Sequence, residues 1–277
     1  MSPAEQVSAD IDTTRPSTAR LYDYYLGGTN NFEIDRQAAE RLRKQLPELA
    51  DAAWANRGFH GRAAAWMAAD QRIRQFIDLG SGLPTQNNTH QVVQAVVPTA
   101  RVVYVDSDPM VAQLSAELLA GDERTALVSA DLRDPDTVLG HPDLLRLIDF
   151  DQPVGVLMTA VLHFVSDEED PYGIVARYMD AVPAGSYLAL SHTTYEKLPP
   201  QAVQAMYDVY ERASSHLYLR NKAEISRFFD GLELVPPHVG SQSSVCFVGC
   251  WGAEDPDAAD SDGSRVLRCG VARKTSR

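Results

Sequence analysis

Cysteine is scarce in this 277-residue chain, and its three copies, Cys246, Cys250 and Cys269, contain no C-x-x-C pair. An odd number of late, unpaired thiols is not typical of a disulfide scaffold. No cluster of His and Cys with zinc-ligand spacing accompanies them, which argues against a structural or catalytic metal. The composition therefore predicts a reduced, cytoplasmic protein without a metal site.

Long apolar runs and basic clusters are also missing. No stretch approaches the roughly 18 apolar residues of a membrane span, and the first 17 residues have no apolar core of a signal peptide. Asp and Glu number 38 against 25 Lys and Arg, for a formal net charge of −13. A field of this sign repels phosphate backbones. We therefore expect neither a membrane nor a nucleic acid as partner; the oligomeric state stays open.

The first quarter of the chain is predicted to be helical. Residues 1–16 are polar and are interpreted as a disordered tail. Residues 17–72 are interpreted as a helical cap. It starts with a helix from Thr18 to Leu26, which Ser17 caps and the Gly27-Gly28 pair ends. The last helix of this cap is expected to reach Ala69, with a break near Gly58 and Gly61.

From residue 73 to the end, apolar strand patterns alternate with helical ones. This alternation predicts a Rossmann-like, doubly wound, mostly parallel α/β sheet. Two late strands, near 232–235 and 265–272, lack a helix between them and must pair antiparallel. A helical insertion is expected near 195–220 and a solvated loop at 254–262. The apolar segment 241–251 is compatible with an additional strand, a sheet edge or a subunit contact. The other predicted strands are near 73–79, 101–105, 125–129, 153–159 and 185–191, and the helices near 85–97, 109–120, 135–147, 169–182, 199–213 and 221–230.

The most informative pattern is a glycine turn followed by two carboxylates at strand ends. The apolar strand Ile77–Leu79 runs into Gly80-Ser81-Gly82, and glycines let the backbone approach a ligand closely. The next strand ends on Asp106, placed to accept the two hydroxyls of a ribose. Asp131 ends the third strand and suits the edge of an adenine. Alternatively, each carboxylate only caps a turn, although Asp108 is the better cap before Pro109.

The choice of adenosine cofactor depends on the residues after the glycines. A dinucleotide site is typically G-x-G-x-x-G, with a helix amide facing the pyrophosphate. Here the third glycine is absent, and Pro84 lacks the amide proton. S-adenosylmethionine (SAM) needs no pyrophosphate clamp, so the pattern favours SAM over a nicotinamide dinucleotide.

These segments resemble a known class in their order along the chain. Asp78–Gly82, Asp106, Ala130-Asp131-Leu132 and Leu162-His163-Phe164 are similar to the motifs of class I SAM-dependent methyltransferases, over about residues 73–273. Two further runs resemble a bacterial SAM methyltransferase family, namely Ala19–Gly28 with its Tyr-Asp-Tyr-Tyr-Leu-Gly-Gly core, and Gly82–Thr85. The resemblance implies a class I fold with an antiparallel last strand. It does not supply the methyl acceptor.

The resemblance also implies roles for individual residues. His163 matches a histidine that serves as the base in some small-molecule O-methyltransferases; the alternative is a histidine that hydrogen-bonds a neighbouring loop. Asp167 is expected either to orient His163 or to cap the helix near 169. His192, Tyr195, Tyr207, Tyr210 and Tyr218 are secondary candidates for the acceptor pocket. The residues expected to bind the cofactor are Tyr22, Asp78, Gly80, Ser81, Gly82, Asp106, Ser107, Asp131, Leu132 and Thr159.

This pattern supports two functions of different classes. The first is a SAM-dependent methyltransferase that modifies a hydroxyl or another heteroatom of a small molecule. The second is a SAM-binding protein without transferase activity that responds to its ligand as a partner of other proteins. The fourth strand lacks the Asn/Asp-Pro-Pro-aromatic motif of many amino-methyltransferases, which disfavours nucleobases and protein amides as acceptors.

Overall fold

A computed structural model of the chain describes residues 11–84 and 87–275. Its centre is one sheet of eight strands in the order β3-β2-β1-β4-β5-β8-β6, with β7 paired beside β8. The strands are β1 Gln75–Leu79, β2 Arg101–Asp106, β3 Thr125–Ser129, β4 Gly155–Thr159, β5 Tyr187–Thr193, β6 Glu233–Leu234, β7 Cys246–Phe247 and β8 Leu267–Arg273.

Helices cover both faces of the sheet. They are α1 Thr18–Tyr25, α2 Glu33–Arg43, α3 Leu49–Ala69, α4 Thr89–Val96, α5 Pro109–Leu118, α6 Pro135–Leu139, α7 Pro142–Leu147, α8 Pro171–Ala181, α9 Pro200–Tyr210, α10 Lys222–Ser226 and α11 Pro256–Ala259. Within the described ranges, no helix is both long and apolar enough to cross a membrane. Likewise, those ranges contain no group of three His, Cys, Asp or Glu side chains that could hold a metal ion.

The sheet confirms the predicted class. Strands β1 to β5 are parallel to one another, and β8 runs antiparallel to β5, from Tyr187 opposite Arg273 to Thr193 opposite Leu267. Strand β6 pairs antiparallel with β8, as the missing crossover helix requires. The chain order reverses between β1 and β4, and ligands of open α/β sheets bind at such a switch point.

The segment 241–251, for which three interpretations were open, contributes a short extra strand. Cys246 and Phe247 of β7 pair with Cys269 and Arg268 of β8. The predicted loop at 254–262 holds the short helix α11, which Asp255 caps by accepting a hydrogen bond from the amide of Ala258. The single helix predicted for 135–147 is two helices, α6 and α7, since Pro142 begins a new helix.

Helix α3 is continuous, so the break predicted at Gly58 and Gly61 was wrong. Its buried residues recur every three or four positions and face the sheet, so that tertiary packing outweighs the low helix propensity of glycine. The helix is 21 residues long and contacts both β4 and β5. It therefore brings its side chains to the carboxyl edge of the sheet.

The described part of the predicted tail is packed on the domain. Ile11 lies in a small apolar cluster with Leu83, Met110 and Val111, and the amide of Ser214 donates to the Pro16 carbonyl at 2.8 Å. The tail prediction thus fails for residues 11–16, because Ile11 finds an apolar partner that local composition does not reveal. Residues 1–10, and Thr85 of the glycine run, lie outside the described residues.

Ser17 connects this segment to the sheet. It caps α1, as predicted, by accepting a hydrogen bond from the amide of Arg20, and its hydroxyl donates to Asp108 Oδ2 at 2.8 Å.

Ser17→Ala removes both bonds. We expect a loss of about 1–2 kcal/mol in the free energy of unfolding, measured by urea denaturation. The exposed Thr29→Ala is the control and should change little; an equal loss in both variants would contradict this role of Ser17.

Candidate active site

A cavity of about 520 Å³ lies at the carboxyl edge of the sheet, between the strand ends and helices α1, α3 and α9. Its size is that of an ordinary small-molecule site. The structure brings all eleven predicted site residues to its wall. They are Tyr22, Asp78, Gly80, Ser81, Gly82, Asp106, Ser107, Asp131, Leu132, Thr159 and His163.

The glycine turn after β1 forms the floor of this cavity. Gly80 and Gly82 both have positive φ angles, +72° and +67°, which glycine adopts without strain. A Cβ on Gly80 would overlap Val161 Cγ2, whereas a Cβ on Gly82 would enter open space. Ser81 Oγ, on the same wall, is buried and has no hydrogen-bond partner in the described part of the chain. The turn is thus shaped to lie against a ligand that supplies a polar partner.

Asp106 fixes this turn from the end of β2. Its Oδ2 accepts from the amide of Gly82 at 2.8 Å, and its Oδ1 accepts from the amide of Asp108 at 2.9 Å. Burial raises the pKa of Asp106, and the two amide donors offset part of that effect. As expected, Asp108 is the cap of α5 and accepts from the amide of Met110. Asp106 therefore keeps acceptor capacity for ligand hydroxyls.

Asp131 is less available than the sequence suggested. Its carboxylate pairs with the guanidinium of Arg133 at 2.6 Å, and Arg133 also reaches Glu169 at 2.7 Å. Although burial opposes it, hydrogen bonding from Arg133 lowers the pKa of Asp131. The neighbouring Leu132 carbonyl accepts a hydrogen bond from Tyr178. An adenine at this strand end would share Asp131 with Arg133.

A buried chain of hydrogen bonds links Asp78 to the cavity. Thr89 Oγ1 donates to Asp78 Oδ2 at 2.6 Å and lies 2.8 Å from His60 Nε2, while His60 Nδ1 lies 2.9 Å from Thr159 Oγ1. Because Thr89 gives its proton to Asp78, His60 must donate from Nε2 and accept from Thr159 at Nδ1. Burial lowers the pKa of His60 and raises that of Asp78 to about 6.

Helix α3 supplies cavity residues that sequence reasoning missed. Besides His60, they are Asn56 and Arg57. Asn56 Nδ2 donates to Tyr22 Oη at 2.9 Å, and Asn56 Oδ1 accepts from Ser191 Oγ at 2.5 Å. Burial raises the pKa of both Asp78 and Tyr22, and the charge of Arg57 opposes that effect. Asn56 and His60 are polar residues on the otherwise apolar buried face of α3. This break in the apolar pattern was the sequence signal that could have identified them as cavity residues.

His163 does not have the arrangement of a general base. Its Nδ1 accepts from the amide of Thr193 at 3.3 Å, which leaves the ring proton on Nε2. Burial, reinforced by the charge of Arg220, lowers the pKa of His163 to about 3. Nδ1 is engaged by Thr193 and Nε2 carries the proton of the neutral ring, so neither nitrogen is free to accept a proton. The geometry favours the second interpretation, a histidine bonded to a neighbouring segment.

Arg220 organises the loop that carries His163. Its guanidinium donates to the carbonyls of Leu162 and Val165 and to Asp167 Oδ1. Asp167 therefore pairs with Arg220, and neither predicted role for it holds; Asp170 caps α8 instead. Arg220 Nη1 also donates to His192 Nε2 at 2.8 Å, which places His192 behind the cavity wall.

The predicted acceptor aromatics divide into two groups. Tyr210 of α9 lies on the cavity wall, together with Tyr25 of α1. The other three side chains, Tyr195, Tyr207 and Tyr218, are exposed to solvent. The run Tyr22–Gly28 thus has a local structural reason: Tyr22 and Tyr25 face the cavity, while Gly28 leaves room for the carboxylate of Asp23.

The fold and this cavity define a class I SAM-dependent methyltransferase. The doubly wound sheet with its antiparallel strand β8, the open turn at Gly82, the carboxylate of Asp106 and the unpartnered Ser81 Oγ fit a nucleoside with an attached amino acid. The comparisons with known proteins agree. A family model described as S-adenosyl methyltransferase matches residues 4–275, and the chain belongs to that family, whose cofactor is SAM.

Solved structures give the same result. The chain is 39% identical to a protein of Thermobifida fusca YX provisionally assigned as a methyltransferase, with a TM-score of 0.87 over 96% of this chain and 97% of that one. It is 40% identical to a DUF574 family protein of Streptomyces avermitilis MA-4680, with a TM-score of 0.87 over 95% and 99% of the two chains.

A more distant likeness shows the fold alone. An O-methyltransferase family protein of Burkholderia thailandensis is 13% identical, with a TM-score of 0.52 over 87% of this chain and 63% of that one. A search of curated proteins finds no match.

Proposed function

We propose that this protein transfers the methyl group of SAM to a heteroatom of a small molecule in the cytoplasm. The observation that carries the proposal is a single continuous cavity. It extends from the ends of β1, β2 and β3 to the ends of β4 and β5. Helices α1, α3 and α9 line it opposite the sheet, and a cavity of this size suits a small acceptor better than a macromolecule.

The order of the strands divides this cavity into two ends. Asp131, Asp106 and the glycine turn lie at the ends of β3, β2 and β1, and would hold adenine, ribose and amino acid in that sequence. The amino-acid end then points toward β4, where Thr159 and Ala160 line the wall. The remaining space, beside β4 and β5, is left for the acceptor.

Binding and orientation carry most of the proposed catalysis. SAM supplies a methyl group already activated by its sulfonium, so the leaving group needs no protonation. The residues of this chain would hold the acceptor atom in line with the methyl group and exclude water, which is a large source of acceleration. The hydrogen bonds that run from Thr159 through His60 and Thr89 to Asp78 connect the ends of β4 and β1. These two strand ends lie between the proposed cofactor and acceptor positions.

The test is formation of S-adenosylhomocysteine from SAM over a panel of small hydroxyl, amine and thiol acceptors. Product formation with at least one acceptor, lost when Asp106 is replaced, is the expected result. Tight SAM binding without product over the whole panel would instead favour the non-catalytic, ligand-responsive protein.

If Asp78 contributes to binding the cofactor, as expected from the sequence, the affinity for SAM should depend on pH. The pKa of Asp78 is raised to about 6 in the folded, ligand-free protein. Between about pH 4 and 6, Asp78 is therefore protonated in the folded protein and ionised in the unfolded chain. The free energy of unfolding falls as pH rises through that window. The cationic SAM should prefer the ionised carboxylate. Its affinity at pH 5 should therefore be about tenfold lower than at pH 7.

Calorimetric titration with SAM from pH 5 to 8 measures this effect. Asp78→Asn should abolish the pH dependence and raise the melting temperature of the ligand-free protein at pH 7.5, because a buried charge is removed. The control is Asp143→Asn, which changes a half-exposed carboxylate in α7. An unchanged pH profile in Asp78→Asn would exclude Asp78 as its source.

A further inference from the structure

The part of the cavity beside β4 and β5 has a distinct chemistry. We define the acceptor compartment by Tyr25, Phe164, Thr193, Met206, Tyr210 and Leu217, all on the cavity wall. In the described chain, the loops after β4 and β5, helix α9 and residues 214–217 contribute no Asp, Glu, Lys or Arg to this wall. The charged wall residues come from residues 12–23, Arg57, strands β1 and β2, and the loops after β2 and β3.

Two phenolic hydroxyls in this compartment lack protein partners. Tyr25 is 6% exposed, and its Oη is buried without a hydrogen bond in the described residues. Tyr210 is half-buried on the same wall, and its Oη has no hydrogen bond to another group within residues 11–84 and 87–275. Burial raises the pKa of both phenols, and the two groups also interact electrostatically with each other. A buried hydroxyl such as that of Tyr25 is rarely left unpaired, because the lost hydrogen bond is costly.

The walls around these hydroxyls are aromatic and apolar. The ring of Phe164 lies 5.6 Å from that of Tyr210 and 4.3 Å from the imidazole of His163. Met206 and Leu217 belong to the same buried apolar cluster as Tyr25. Aromatic rings prefer offset or edge-on contacts with other rings, and a thioether adds favourable contact at a ring edge.

The compartment also lacks a base. His163 carries its proton on Nε2, and no carboxylate or lysine of the described residues lines this part. An aliphatic alcohol, a very weak acid, would need a strong base to react. An aromatic hydroxyl, with a pKa of about 10, is a much stronger acid than an aliphatic alcohol, so its oxyanion can form without a strong base in the site.

We propose that the acceptor is an uncharged aromatic molecule whose hydroxyl oxygen accepts hydrogen bonds from Tyr25 and Tyr210. This inference rests on the proposed function. The hydroxyl loses its proton to bulk water before the bound acceptor is shielded from solvent, and the two tyrosines donate hydrogen bonds that stabilise the resulting oxyanion. The oxygen then forms a bond to the methyl carbon, while the sulfur–carbon bond breaks with its electron pair remaining on sulfur, which becomes a neutral thioether.

The test uses the protein saturated with S-adenosylhomocysteine and calorimetric titration of defined probes. The aromatic probes are 2-naphthol, 4-hydroxyquinoline and 5-hydroxyindole; naphthalene-2-carboxylate tests charge, and cyclohexanol tests aromaticity. We expect at least one aromatic probe to bind, and the two comparison compounds to bind at least about tenfold more weakly. Tyr25→Phe and Tyr210→Phe should each weaken the aromatic probe about three- to tenfold.

Matched controls lie on the same two helices. Tyr24 of α1 donates to Glu40 at the surface, and Tyr207 of α9 is exposed, so Tyr24→Phe and Tyr207→Phe should leave probe binding unchanged. Equal losses in the controls, or equal binding of the carboxylate or cyclohexanol, would overturn the inference. So would failure of all three aromatic probes while S-adenosylhomocysteine still binds. Failure of S-adenosylhomocysteine itself to bind would overturn the proposed function instead.

Discussion

Asp106→Ala should reduce the affinity for SAM and S-adenosylhomocysteine by about 100-fold or more, since two charge-assisted hydrogen bonds to the ribose are lost at once. The same change frees the amide of Gly82, which Asp106 Oδ2 holds at 2.8 Å. The ligand would lose both a direct partner and the fixed form of the glycine turn. Isothermal calorimetry with S-adenosylhomocysteine measures the loss without interference from turnover.

Two further variants separate these contributions. Asp106→Asn retains one side-chain oxygen and should lose less affinity than Asp106→Ala. Asp131→Asn changes a carboxylate that Arg133 already occupies and that is partly exposed, so its effect should be only about two- to fivefold. Comparable losses at Asp106 and Asp131, or unchanged binding in Asp106→Ala, would contradict the assignment of the ribose to the end of β2.

Gly80→Ala should destabilise the folded protein by about 3 kcal/mol, from a left-handed backbone that alanine adopts poorly and from overlap with the side chain of Val161. Val161 follows β4, the neighbour of β1. Relief of the overlap would separate the two strand ends on which the cavity is built. Thermal unfolding of the ligand-free protein measures this cost directly.

Gly82→Ala is the matched comparison, because it has a similar φ but no atom within 4 Å of an added Cβ. Its stability loss should be only about 1 kcal/mol, the cost of the backbone conformation alone. Its methyl group would instead occupy space at the cavity floor and lower affinity for the cofactor. Gly80→Ala should thus mainly lower stability, and Gly82→Ala should mainly lower the affinity for the cofactor. A larger stability loss in Gly82→Ala than in Gly80→Ala would contradict the geometry.

The sheet and its cofactor edge were predictable because both depend on short-range patterns. Strand periodicity located β1 to β5, and Asp78, Gly80, Asp106 and Asp131 stand where those strands end. The antiparallel end of the sheet was predicted from a missing crossover helix. These features need no knowledge of what lies across the cavity.

The other wall was not predictable in the same way. Asn56, Arg57 and His60 are ordinary helix residues until α3 is laid across β4 and β5. The proton position on His163 depends on the amide of Thr193, 30 residues away. Likewise, the burial of Ile11 depends on Leu83 and α5. Each is a long-range contact, for which a single sequence carries no local signal.

The connection of Ser17 to Asp108 and of Pro16 to Ser214 ties the beginning of the chain across the sheet. In the proposed function, the helices before β1 are therefore part of the active site. A design that kept only the Rossmann core would retain the wall formed by the strand ends and would lack the wall formed by α1 and α3. To alter which molecule is methylated, α1 and α9 would have to be redesigned together, although they lie far apart in the sequence.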